Sequence, residues 1–255
     1  MKNLFRKHFR LKTSNTTAAH GGLQRSVKPD YEYKTLPEGR VRLLVLLPGP
    51  QEAAIRCSLR PVALADFEDR FTVNSKFELG MYEALSYCWG ESKETKTIDC
   101  DGQSLEIRAN LENILRYFRY EDKTRVMWVD GICINQKDDT ERSQQVSLMG
   151  VIYWKATRVL VWLGEEDKSA KQVSAAKAFE FIRRCNNFKE AAANNRRGHP
   201  TTMPEKIEDI QGSKEAVSWE SVRRLFTRDW FTRVWVVQEL GLARAATFYC
   251  GDASI

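Results

Sequence analysis

The chain has 255 residues, 42% of them hydrophobic and seven of them Trp, enough apolar material for one large domain or one domain with additions. Its net charge of +6 sits in residues 1–30, where seven basic side chains meet the single acid Asp30. The remainder carries as many acids as bases, which excludes a domain-wide nucleic-acid surface. No apolar run approaches the roughly 20 residues of a membrane span, and no secretory leader is visible.

Residues 1–35 read as a basic, disordered tail, with a mitochondrial presequence left open by its Arg, Lys, Ser and Thr content. The six cysteines (Cys57, Cys88, Cys100, Cys133, Cys185, Cys250) form no CxxC pair. Of three histidines, His8 and His20 lie in the tail and only His199 beyond it, so no metal site is expected. A reducing, intracellular compartment fits such cysteine usage.

In chain order, Arg40–Leu47 reads as a strand stopped by Pro48-Gly49-Pro50, with 54–64 as its partner. Tyr82–Trp89 is a further strand. Thr97–Ile107 reads as a hairpin, because Asp101-Gly102 suits the positive φ angles of a two-residue turn. Asn110 is placed to cap a helix carrying Leu111, Ile114, Leu115 and Phe118 on one face. Val126–Gln136 is a continuous apolar run, read as a strand buried on both faces with Asp130 in its middle. Residues 137–142 form a polar loop, a helix runs to about Ala156, and Arg158–Leu163 is a second buried strand. That sequence makes a right-handed βαβ unit. Ala175–Arg184 is an amphipathic helix, 194–212 a flexible insertion, and helical periodicity returns over 219–226 and 230–242. Ala246–Cys250 is a last short strand, after which the natural protein is expected to continue.

Three blocks then stand together: Tyr82-Glu-Ala-Leu-Ser-Tyr-Cys-Trp-Gly90, Trp128-Val-Asp-Gly-Ile-Cys-Ile-Asn-Gln136 with Glu141-Arg142, and Arg228-Asp-Trp-Phe-Thr-Arg-Val-Trp-Val-Val-Gln-Glu239. Their order and spacing resemble the heterokaryon incompatibility (HET) domain of filamentous fungi, over about residues 40–252. Gly131 stands where that family usually has Ala. The resemblance implies a cytoplasmic fungal domain that triggers cell death on non-self recognition. The element order and Trp235-x-x-x-Glu239 also resemble Toll/interleukin receptor (TIR) domains. That second resemblance implies a TIR-like, flavodoxin-like, mainly parallel α/β sheet, with an N-terminal β-hairpin region and a helical insertion over about 165–225.

From the TIR resemblance, Glu239 is the candidate catalytic carboxylate of an NAD glycohydrolase, facing the nicotinamide ribose. Trp235 lies on the same helix face. The plain alternative is a salt bridge from Glu239 to Arg233, Arg244 or Arg142, and both readings stand at this point. Ser86, Tyr87 and Gly90 fall at a strand's carboxyl end, where α/β sheets bind ligands. Asn135, Arg142 and Trp235 are further candidate contacts. Arg228 and Arg233 have the planar donors to hold a diphosphate. Asp130, costly to bury alone, is expected to pair with Arg142 and order the loop, and Gln136 to tie that loop down. No GxGxxG, P-loop or GxSxG is present. The enzyme reading takes NAD as substrate and no other cofactor. The competing reading is a non-enzymatic module that signals by self-association through the same helices and loop.

Overall fold

The computed structural model describes residues 28–67, 81–167, 173–194 and 214–255. Residues 1–27 of the tail, and all of the 194–212 insertion beyond Asn194, lie outside them.

β1 (Arg40–Leu46) and β2 (Arg56–Ala63) pair antiparallel, Leu44 opposite Leu59. The turn between them is held by Arg119, whose guanidinium donates to the carbonyls of Pro50, Gln51 and Ala53. β4 (Thr95–Cys100) and β5 (Gln103–Arg108) form the hairpin, and Asp101 (φ 52°) and Gly102 (φ 82°) make its turn as the sequence requires. Asp30 bridges to Ser104 of β5, with hydrogen bonds of 2.8 Å on either side, so residues 29–31 lie along the hairpin.

Four neighbouring strands form a parallel set, β3 (Glu83–Tyr87), β6 (Arg125–Trp128), β7 (Val159–Trp162) and β8 (Ala246–Cys250), and β2 also pairs with β4 in parallel. Among the described residues the sheet runs β5-β4-β2-β1-β6-β3-β7-β8-β9, with β9 at Ala253–Ser254. It is mixed, not mainly parallel: β1 joins both β2 and β6 antiparallel, and β4/β5 and β8/β9 are antiparallel too. The reason lies in the connections. β1/β2, β4/β5 and β8/β9 are joined by short connections, which make antiparallel neighbours, whereas β1 meets β6 antiparallel across a long stretch of chain. The hairpin region is therefore continuous with the central sheet. Within the parallel set, the first strand in the chain (β3) lies between the second (β6) and the third (β7), so the order reverses there.

The run 126–136 is not one strand. β6 ends at Trp128, and the chain turns into α2 (Asp130–Cys133), where Ile132 and Cys133 donate to the Val129 carbonyl at 3.0 and 2.7 Å. Ile132 and Cys133 are fully buried, so the apolar run reports burial and not extension. α1 (Ala109–Phe118) forms with Leu111, Ile114, Leu115 and Phe118 inward. Asn110 does not cap it; its amide donates to the Cys88 carbonyl at 2.7 Å. α3 (Asp139–Lys155) starts within the supposed 137–142 loop, because Asp138 accepts from the amides of Thr140 and Glu141 at 3.0 Å. α4 (Ala175–Asn194) and α5 (Lys214–Phe226) pack together, with the Phe181 and Trp219 rings 6.0 Å apart. The 230–242 periodicity divides into a 3-10 turn at Asp229–Thr232 and α6 (Val236–Gly241), which packs on α3.

One buried charge crosses this core. Arg42 of β1 makes a two-pronged contact with Glu141 of α3, at 2.6 and 2.9 Å, and donates to the Cys133 carbonyl at 3.1 Å. Glu141 also accepts from the Asn135 amide at 2.7 Å. The pair fastens the loop after α2 to the sheet.

Candidate active site

Where the strand order reverses, β3 leaves the sheet through Cys88-Trp89-Gly90, and Gly90 takes φ +74°, a conformation that favours glycine. Asp130 follows the end of β6. Between these ends and the segment 229–239 lies a cleft of about 520 Å³. Clefts of this size suit a small ligand, and this one opens beyond the carboxyl ends of parallel strands.

Glu239 lines the cleft from the first turn of α6 and is only 1% exposed. Arg233 meets it with two donors, Nη2 to Oε1 at 2.9 Å and Nη1 to Oε2 at 3.2 Å. The Ser86 hydroxyl donates to Oε2, and the Trp230 indole N–H donates to Ser86 Oγ at 2.8 Å. The carboxylate therefore has one fixed orientation, and its charge is balanced by a half-buried guanidinium. Both earlier readings meet here, since Glu239 is ion-paired to Arg233 and borders the cleft. Trp235 is half exposed at the rim, no core residue.

Of the other candidates, Gly90 and Arg142 line this cleft, whereas Ser86 lies buried behind Glu239. Tyr87 and Asn135 face a different cleft beyond Trp89. Arg228 is taken up with the carbonyls of Leu163 and Glu165, at 3.0 and 2.9 Å. Arg142 does not partner Asp130; it pairs with Asp139 at 2.8 Å on the surface of α3. Gln136 does tie the loop, donating to the Asp130 carbonyl at 2.9 Å.

Asp130 is the residue sequence reasoning undervalued. It accepts from the Trp89 indole N–H at 2.9 Å and from the Gly131 amide at 2.6 Å, and it lines the cleft with Glu239. Burial pushes its carboxyl up to about 6; the two hydrogen bonds oppose the shift, and the charge of Glu239 adds to it. A carboxylate interrupting an apolar run was the available signal. Since folding raises its proton affinity, Asp130 stabilises the fold best below about pH 4, and that contribution fades as pH rises through 6. Asp130→Asn removes the titration. Its stability relative to the parent is expected to improve by about 2 kcal/mol between pH 4 and 7.5, read by urea unfolding at both pH values. A difference that stays flat with pH assigns the shift to other groups.

Among the described residues there is no cluster able to hold a metal, and no helix long and apolar enough to cross a membrane. The sequence model of the family described as Heterokaryon incompatibility protein (HET) matches residues 82–239. The chain belongs to the HET family. A relative, "Heterokaryon incompatibility protein 6, OR allele" of Neurospora crassa, is 30% identical over 194 residues, which is 67% of this chain. The chain spans 28% of that protein's length. No solved structure is significantly similar. The HET match opens just before β3 and closes on Glu239, so it contains every side chain around the cleft floor, while β1, β2 and β8 of the same sheet lie outside it. Gly131 has a local reason. A Cβ there would meet the Tyr87 hydroxyl at 2.7 Å.

Proposed function

We propose that this HET domain is a cytoplasmic effector of fungal non-self recognition and cell death, acting by cleavage of the nicotinamide–ribose bond of NAD. One observation carries the reading: Glu239 is oriented by Ser86 and Arg233 at the floor of a cleft beyond parallel strands. The spatial order of those strands, second-first-third-fourth, supports a TIR-like, flavodoxin-like assignment for this half of the sheet.

In the reaction the C–N bond breaks and its electron pair returns to the pyridinium nitrogen, so nicotinamide leaves neutral. Positive charge then develops on the ribose, and a fixed carboxylate stabilises that state more than the ground state. Water forms the new bond to the ribose carbon. Asp130, with its proton affinity raised towards neutrality, accepts the proton that water gives up. No further cofactor is needed. Incubating the purified protein with millimolar NAD and following nicotinamide by chromatography is expected to show steady turnover. Folded protein that releases none defeats the proposal.

A second reading is favoured by Val234 and Val237, which are 84% and 75% exposed beside Trp235. Such a patch suits self-association of a signalling module. Val237→Arg is then expected to shift the protein from oligomer to monomer in sedimentation and to abolish killing on expression. An unchanged sedimentation profile counts against it.

A further inference from the structure

On the far side of Trp89 lies a second cleft of about 670 Å³, which the reaction above does not use. Its walls come from segments that the sequence keeps far apart: the stretch carrying Tyr31 and Tyr33, the end of β3 with Tyr87 and Trp89, the β4–β5 hairpin with Thr97 and Arg108, Leu111 of α1, and the Gly131–Lys137 stretch. Tyr33 is locked, with its hydroxyl on the Ile132 carbonyl at 2.8 Å and Arg42 over its ring at 4.9 Å. Tyr31 stands edge-to-face against it at 5.0 Å and is only partly buried, which leaves ring surface to the cleft. Arg108 is held over the Trp89 indole at 5.5 Å and donates to the Ser92 carbonyl at 2.8 Å. Lys137 is a further cation on the lining.

The two clefts share a wall. Trp89 and Gln136 line both, and each donates to Asp130, through its carboxylate and its carbonyl respectively. Asp130 faces the first cleft and Gly131 the second. A ligand that crosses this wall has a carboxylate on one side, and on the other an aromatic face with planar and point cations beside the acids Asp30 and Glu106. A third hollow, over β7, is smaller at about 400 Å³, and its cation Arg228 is already committed to two carbonyls.

We propose that the second cleft receives the adenine nucleotide half of the dinucleotide whose nicotinamide riboside lies against Glu239. Tyr31 stacks on the purine, and Arg108 and Lys137 meet the phosphates. This assignment rests on reading the first cleft as the site of NAD cleavage. It makes the substrate class a dinucleotide: nicotinamide mononucleotide carries the scissile bond and one phosphate, but no purine to stack on Tyr31 in the second cleft.

The test compares KM for NAD and for nicotinamide mononucleotide in the parent protein, in Tyr31→Ala and in Thr97→Trp. Thr97 is exposed on β4, so Trp there crowds the cleft without entering the core. The parent is expected to show a KM for NAD at least about tenfold below that for the mononucleotide, within the range that stacking one base supplies. Both variants should raise KM for NAD by a similar factor and leave the mononucleotide's unchanged. Equal KM values for the two substrates, or variants that move both or neither, overturn the assignment. If neither substrate is cleaved, the reading of the first cleft has failed, and the second is judged by equilibrium dialysis with AMP. Binding lost in Thr97→Trp sustains an adenine nucleotide site, and absence of binding to the parent overturns it.

Discussion

Glu239→Gln is expected to lower nicotinamide release from NAD by about 10²–10³-fold, with KM nearly unchanged and the protein still folded. The carboxamide has the shape of the carboxylate and can still accept from Ser86, so the floor of the cleft keeps its form. In the proposed reaction, what it loses is the charge that opposes the positive ribose in the transition state. Arg233 also loses its counter-charge, so a modest fall in stability of about 1–3 kcal/mol accompanies the kinetic effect. Rate and melting temperature are measured on the same preparation, so a folded but inactive variant is distinguished from an unfolded one. Activity retained at the parent rate would assign Glu239 to holding α6 against β3 and nothing more.

Glu141→Ala is expected to be among the most damaging single changes in the domain, costing about 3–5 kcal/mol. Arg42 would be left in the core with its charge uncompensated, and the Asn135 amide would lose its acceptor. For a chain of this size that corresponds to a fall in melting temperature on the order of 10 °C. Replacing both partners together, as Arg42→Met with Glu141→Leu, is expected to recover most of the loss, because the penalty belongs to the orphaned charge and not to the absence of the pair. Thermal and urea unfolding of the two single variants and the double variant measure this coupling. Additive losses would show that the two side chains act independently.

Much of the scaffold could be read from local pattern. Asp101-Gly102 dictates its own turn, and the helical spacing of Leu111 to Phe118 buries one face wherever the helix lies. Glu239 stands out by its distance from Trp235 in a recognisable motif, and it borders the cleft. What failed depended on pairings that no local window contains. Arg42 stands between apolar neighbours in β1 and needs a partner, but that partner lies in α3, far along the chain. The antiparallel approach of β1 to β6 is equally non-local, and it is what joins the N-terminal strands to the parallel set. Asp130 was misjudged because one turn of helix has no periodicity to show. Once that turn closes, its carboxyl faces Trp89 instead of Arg142.

The pairing of β7 with β8 has a consequence for how the protein is made. β7 ends at Trp162 and β8 begins at Ala246, with α4 and α5 between them. At ordinary ribosomal speeds the nascent chain waits on the order of ten seconds between the two strands. During that interval one whole edge of Val159–Trp162, four buried apolar residues, has no strand to pair with. Such an edge templates aggregation, so translation past Cys250 is what makes the parallel half of this sheet safe to leave unattended.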